Sequence, residues 1–222
     1  MIVLGLDTAT KIGSVAIVRD GEVLAEAHAE SKSHGTELLP MIDEVCARAQ
    51  VRPVDLDAIA IGAGPGSFTG LRIGMATAKG IAFAAGRPLW AVSSLAAIAH
   101  DVGGDDPIAC VVDARRGEVF AGIYQRDVAL ADERVISPRE LVAWVDSVAI
   151  AARYCGDAAT VYPELATLSW TEIIPSGRAV ARLALAGQRI DVLATGVPAY
   201  LRRAEAEILY PDGVPGALRR SE

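Results

Sequence analysis

The chain has 222 residues, of which 52% are hydrophobic and 22% charged, and it carries a net charge of −7. This composition excludes a disordered chain, and the length gives one or two domains that need neither disulfides nor a structural metal to fold. The acidic balance argues against a stand-alone nucleic-acid binder, which shows a strong basic patch. It leaves open nucleic acid reached through a partner. Arg202, Arg203, Arg219 and Arg220 are the basic hints near the C-terminal end; their plain reading is a helix face and a solvated tail.

The opening "MIVLGLDTATK" lacks a basic leader and is interrupted by Asp7, so it reads as a first strand, not a signal peptide. "GSVAIVRDGEVLAEAHAE" then gives two strand-like runs across Asp20–Gly21, a strong hairpin signal. A helix is predicted from about Thr36, its N-cap, to Ala49, because Leu38, Leu39, Ile42, Val45, Cys46 and Ala49 recur at helical spacing. Pro40 either starts that helix or distorts its first turn. "LDAIAIGAG" is a buried strand running into glycines. The helix after it spans about Ser67 to Ala85, closed by Gly86 and Pro88. "PLWAVSS" is a strand and "SLAAIAHD" a third helical piece.

"GGDDP" (residues 103–107) reads as a linker, and after it the pattern restarts. "IACVVD" again ends in an acid, "GEVFAGIYQ" pairs back across "ARRG", and "DVALADERVI" is a third strand. A helix follows near Pro138 to Val145, then "VAIAARYCG" as a strand ending in glycine. "SGRAVARLALAGQ" is a helix with Ser176 as N-cap. The order βββαβα occurs twice. That predicts an α/β fold of two similar lobes facing a cleft, residues 1–103 and 104–197. The second lobe is shorter and poorer in glycine, and residues 198–222 are expected to pack back on the first. No run of about 18 uncharged apolar residues occurs, so no membrane helix and a cytoplasmic location are expected. Cys46, Cys110 and Cys155 form no C-x-x-C motif and sit in apolar surroundings, as buried reduced thiols do.

Several chemistries lack their residues. His28, His34 and His100 have no histidine four positions on, so no helical metal pair exists. No G-x-S-x-G elbow is present, and Ser93 and Ser94 read as helix caps. Asp7 and Asp113, each at a strand end, are the best chemical candidates. In a two-lobed ATPase such acids flank the cleft and hold Mg²⁺ through water. Alternatively, Asp7 starts a turn and accepts a backbone N–H from Thr10 or Lys11.

"GAGPGSFTGLRIGMATAKGIAFAAG" (residues 62–86) suggests a phosphate loop. It fails the P-loop pattern, since Leu71 stands where lysine is required, and it fails G-x-G-x-x-G, since position 67 is serine. A weaker anion site of helix N–H groups with Ser67 and Thr69 stays open. Gly70, Gly74 and Gly80 each cost about 1 kcal/mol against alanine inside a helix, so something should offset them. Gly70, Gly74, Ala78 and Ala82 form one small-residue row, and Ala76, Gly80 and Ala84 another. Such rows let backbones approach closely. They serve either packing within one domain or contact with a second helix from this chain or another.

"GLDTAT", "HGTELLP", "GPGSFTGLRIGMATAKGIA", "VDARRGEVFAG" and "PAYLR" together resemble the TsaB (YeaZ) family across nearly the whole chain, most weakly at about 125–195. The resemblance implies an actin-like ATPase superfamily fold (sugar kinase, Hsp70 and actin type) with a reduced second lobe. It implies a non-catalytic role in making N6-threonylcarbamoyladenosine on tRNA, beside a related catalytic subunit, TsaD, and a small ATPase, TsaE. It also implies a homodimer in isolation, contact with tRNA only through the complex, and no membrane. No metal and no tightly bound cofactor are implied, with at most weak ATP or ADP binding in a vestigial cleft at Asp7 and Asp113. The partner surface carried over from the family comprises Leu38, Leu39, Ile42, Val45, Gly70, Ile73, Gly74, Thr77 and Ala78. The rival readings are a stand-alone phosphotransferase of the same fold and, last, a metallopeptidase.

Overall fold

The computed structural model describes residues 1–30, 34–193 and 198–201. Its first half runs β1 (Ile2–Asp7), β2 (Ile12–Arg19), β3 (Glu22–Glu30), α1 (His34–Ala49), β4 (Ala58–Gly62), α2 (Phe68–Ala85), β5 (Leu89–Val92) and α3 (Ser94–Val102). The second half runs β6 (Ile108–Arg115), β7 (Glu118–Gln125), β8 (Val128–Ala129), β9 (Arg134–Ile136), α4 (Pro138–Val148), β10 (Arg153–Gly156), β11 (Trp170–Glu172), α5 (Gly177–Leu185) and β12 (Ile190–Asp191). Two sheets result, ordered β12-β5-β4-β1-β2-β3 and β11-β10-β6-β7-β8, with β9 also on β7. In each, an antiparallel hairpin is extended by parallel strands: β4 on β1, and β10 on β6.

Strand alternation sorts side chains by size. Leu4, Leu6, Ile59 and Ile61 point to one face of the first sheet, where α1 and α2 cover them. Val3, Ala16, Ala58 and Ala60 point to the other, with Ile108, Cys110 and Val112 of the second sheet across the same core. Between the sheets lie α3 and α5, rich in alanine: Ala96, Ala97 and Ala99 on one, Ala179, Ala181 and Ala184 on the other. Small residues let α5 lie close on β1. A methyl group on Gly5 would overlap the Gly177 carbonyl, and Gly177 donates its N–H to the Ser14 hydroxyl at 2.8 Å. Two polar clusters fasten this middle layer. Arg178 of α5 reaches Asp101 of α3 and Glu26 of β3, both at 3.1 Å. On the other side, Ser93 and the Tyr124 hydroxyl both donate to Glu133.

The structure departs from the sequence reading in several places. The expected lobe of residues 104–197 does not keep to its own sheet. Its helix α5 packs on β1, β2 and β4, and β12 pairs with β5, because the glycine and alanine face of the first sheet fits the small-residue face of α5. The helix predicted from Thr36 begins two residues earlier, so Thr36 lies inside it and is not its cap, and Pro40 sits within the helix. The single strand expected over "DVALADERVI" is two short ones, β8 and β9, both on β7. "VAIAARYCG" divides between the end of α4 and β10, and β11 was not foreseen. The hairpin at Asp20–Gly21 has both residues at positive φ, 50° and 88°, as a two-residue turn of that kind requires. Ser67 and Ser176 cap α2 and α5 with their hydroxyls, and Gly86 closes α2 at φ 63°. Arg202, Arg203, Arg219, Arg220 and the rest of residues 202–222 lie outside the described residues. Among the described residues, no helix is long and apolar enough to cross a membrane.

Candidate functional site: a sealed acid and an open helix face

Asp7 ends β1 and is wholly buried. Its Oδ1 accepts the Ala9 N–H at 2.8 Å and its Oδ2 accepts the Ser94 hydroxyl at 2.6 Å. Ser94 in turn accepts the Gly64 N–H at 3.2 Å. A side chain on Gly62 would overlap Asp7 Oδ2. The carboxyl therefore joins three pieces of chain: the β1–β2 turn, the β4–α2 turn and the start of α3. Burial pushes its pKa up to about 6, against the opposing pull of Ser94 and Ala9. The donor is Ala9, one or two residues before the Thr10 or Lys11 expected of a turn. This acid has both oxygens engaged by the chain and no surface turned to solvent.

Asp113, two residues before the end of the corresponding strand β6, is also engaged. Its Oδ1 accepts the Arg115 N–H at 2.8 Å and the Tyr162 hydroxyl at 3.0 Å, and Arg115 Nε lies 3.3 Å from its Oδ2. Its own N–H donates to Asp157 Oδ1 at 2.9 Å, and burial raises the Asp157 pKa. Among the described residues the two acids share no bonding partner. Among the described residues no group of three or more His, Cys, Asp or Glu side chains is placed to hold a metal ion.

The glycine helix resolves into two faces. A methyl group on Gly70 would collide with the Thr8 carbonyl oxygen, and one on Gly74 with the Thr8 hydroxyl. The Thr8 hydroxyl donates to the Gly70 carbonyl at 2.8 Å, and Ser67 donates its N–H to Ala9 at 2.7 Å. The row Gly70–Gly74–Ala78–Ala82 thus receives the β1–β2 turn and the sheet, and it is buried. The second row, Ala76–Gly80–Ala84, is exposed, and nothing lies within 4 Å of where a Gly80 side chain would stand. Beside it Phe83 is 83% exposed.

The nine residues expected at a partner surface separate accordingly. Leu38, Ile42, Val45, Gly70, Gly74 and Ala78 are buried in the first lobe's own core, which corrects their assignment to a surface. Leu39 is 54% exposed, and Ile73 and Thr77 are partly so. The physical reason is that the costly glycines Gly70 and Gly74 are offset inside the lobe, by contact with Thr8. The open face of α1 and α2 carries instead Leu39, Arg72, Ala76, Gly80 and Phe83. Between these helices and the turn at Pro53–Asp55 lies an apolar cavity of about 270 Å³, lined by Leu39, Ile42, Cys46, Val54, Ile81 and Ala84. Val54 at its mouth is 61% exposed. The Cys46 thiol, at the cavity wall, has its pKa raised by burial and then by Asp43. Sequence reasoning did find the row containing Gly80. The sequence alone gives both small-residue rows and does not say which one faces outwards; that is read from the exposure of Gly80 and Phe83.

Comparison with known proteins follows the same lines. The family model for TsaD, tRNA N6-adenosine threonylcarbamoyltransferase, matches residues 23–216. The Escherichia coli tRNA threonylcarbamoyladenosine biosynthesis protein TsaB is 39% identical over 130 residues, covering 57% of this chain and 56% of that protein. The match therefore spans little more than half the length of that curated relative. The solved structure of YeaZ from Pseudomonas aeruginosa superposes with a TM-score of 0.74 at 31% identity, covering 90% of this chain and 99% of that one. An activator of 2-hydroxyisocaproyl-CoA dehydratase from Clostridium difficile, solved with bound ADPNP, shares the fold alone, at 9% identity and a TM-score of 0.53 over 85% of this chain and 96% of that one. The architecture is that of the actin-like ATPase superfamily.

Proposed function

We propose, from the premise that this chain belongs to the TsaB (YeaZ) family, that it is a cytoplasmic, non-catalytic subunit of the machinery that makes N6-threonylcarbamoyladenosine on tRNA. Its task is to bind and support a TsaD-like threonylcarbamoyltransferase, in a larger complex with a TsaE-like ATPase, and it meets tRNA only there. In isolation the same face pairs two copies of the chain. It holds no cofactor tightly. The observation that carries this reading is the open face of α1 and α2. Exposed Leu39 and Val54 line an apolar cavity of about 270 Å³, and exposed Phe83 stands on α2 beside the outer row of small residues, where a partner helix can come close. An apolar surface of that kind, with the exposed Asp43 at the cavity wall, is characteristic of a protein contact.

The sealed acid supports the non-catalytic part. A carboxyl that bridges two turns and a helix, with both oxygens engaged, serves as a structural bracket. Bound ATP in a vestigial cleft would have to be weak. No observation favours the phosphotransferase or metallopeptidase readings.

The double variant Leu39→Asp/Phe83→Asp tests the reading, since both side chains are exposed and their loss should leave the fold intact. The variant should lose co-purification with the TsaD-like subunit. It should also fail to restore the modified nucleoside, read by mass spectrometry, in cells lacking TsaB. Undiminished binding by a folded double variant would overturn the docking face.

A further inference from the structure

At one end of the open face of α2 stands a side-chain cluster that the apolar cavity does not explain. The Arg72 guanidinium lies 3.9 Å from the centre of the Phe68 ring and 5.9 Å from that of Tyr200. Its Nε donates to the Tyr200 hydroxyl at 3.1 Å. The two rings are 5.2 Å apart, tilted by 36°. Tyr200 is brought there by a return of the chain: Ala199 donates its N–H to the Ala63 carbonyl at 2.7 Å, at the end of β4. A segment far along the sequence thus clamps an arginine on the first lobe.

An arginine offers five N–H donors in a planar fork. One is spent on Tyr200, and among the described residues no carboxylate pairs with Arg72. Ordering a long arginine side chain costs rotamer freedom. Here the stacking on Phe68 and the bond to Tyr200 meet that cost before any ligand arrives. The free edge of the fork suits a planar anion bound through two parallel bonds. Both rings are already engaged with the arginine and with each other, so the cluster presents an oriented cation and not an open platform for stacking bases. Along the same face lie Ala76, Gly80 and the exposed Phe83, with the partly exposed Lys79 among them, a mix of apolar and charged side chains found at protein contacts.

We propose that Arg72, held by Phe68 and Tyr200, is a charged anchor for a carboxylate on the partner protein that covers the α1–α2 face. The apolar cavity supplies area, and the anchor fixes the register of the partner along α2. This inference rests on the docking reading given above.

The test measures binding of the purified TsaD-like subunit by calorimetry at low and high NaCl. Wild type is compared with Arg72→Gln, Arg72→Lys, Tyr200→Phe and the Leu39→Asp/Phe83→Asp double variant, each first shown to melt as a folded chain. Arg72→Gln should weaken binding roughly tenfold at low salt and flatten the salt dependence, since it removes an interfacial ion pair. Arg72→Lys should restore the salt dependence but not the full affinity, because it keeps the charge and loses the fork. Tyr200→Phe should weaken binding a few-fold through loss of orientation. If Arg72→Gln binds as wild type while the double variant does not bind, the anchor is overturned and the docking face stands. If both bind as wild type, both readings fall. If Arg72→Gln leaves the protein affinity unchanged but weakens retention of tRNA by the assembled complex, the anchor takes a phosphate, and the carboxylate proposal is overturned.

Discussion

Replacing Asp7 by asparagine should change how stability depends on pH, in a calculable way. The carboxyl is wholly buried, and its pKa is raised from 3.8 to about 6. A raised carboxyl pKa means that the folded chain binds the proton more tightly than the unfolded one. Stability is therefore gained as pH falls through about 6 and continues to rise until the unfolded value is reached; above about 6 the gain is absent. Over the full window the difference is about 3 kcal/mol, from about 1.4 kcal/mol per pH unit. Between pH 8 and pH 5 the linkage relation gives about 1.4 kcal/mol for this one group. Other groups titrate over the same range, so the informative quantity is wild type minus Asp7→Asn at each pH. Asparagine can accept the Ala9 N–H as the carboxylate does, and it carries no charge at any pH. Urea unfolding at pH 5, 6, 7 and 8 should show the wild type gaining about 1.4 kcal/mol relative to the variant on acidification, a shift of several degrees in Tm at most. Parallel curves for the two proteins would refute the reasoning, because they would mean that Asp7 titrates alike folded and unfolded. A functional arm separates bracket from catalyst. Asp7→Asn should still restore the modified nucleoside in cells lacking TsaB, whereas an acid holding a catalytic Mg²⁺ through water would not tolerate the change.

The glycines of α2 should behave oppositely under the same substitution. Gly70→Ala and Gly74→Ala gain about 1 kcal/mol of helix propensity but collide with Thr8, and a net loss of about 1–3 kcal/mol is expected in thermal unfolding. Gly80→Ala meets open space and should stabilise the free chain by up to about 1 kcal/mol in the same assay. Ser94→Ala leaves Asp7 Oδ2 and the Gly64 N–H unpaired in a buried place, costing about 2–3 kcal/mol. Arg178→Ala leaves the buried Asp101 side chain without its cation and should cost about 2–4 kcal/mol by denaturant titration. If Arg178→Ala were neutral, the alanine face of α5 and its hydrogen bonds from Gly177 to Ser14 and from Arg182 to Gly21 would suffice to hold it to the first lobe.

The order of the elements was legible because each carries a local signal. Asp20–Gly21 marks its hairpin, Ser67 and Gly86 bracket α2, and Ser176 starts α5. What the sequence left out was decided by contacts between distant segments. Nothing near Asp7 announces that Ser94, 87 residues on, will donate to it. Nothing near Gly177 shows that its carbonyl will rest on Gly5. The same limit explains why α5 was assigned to the second lobe. Its alanines report that something comes close, and only the packed structure shows that the neighbour is β1. Strands of two or three residues, such as β8, β9 and β12, have too few positions to carry a period of two.

The helix α2 makes the limit sharpest, because its composition was read correctly and its orientation was not. Two small-residue rows meet one physical requirement, close approach, and a helix offers each row to a different neighbour. A row facing the lobe's own chain must be small wherever backbone or a fixed hydroxyl presses on it, as Thr8 does at Gly70 and Gly74. A row facing outwards has no such pressure in the free chain. Gly80 stands in open space, so its cost in helix propensity has no offset within the described residues. That uncompensated glycine, next to an exposed phenylalanine, is what the docking reading proposed above would explain. The glycines whose cost is met by Thr8 carry no information about partners at all.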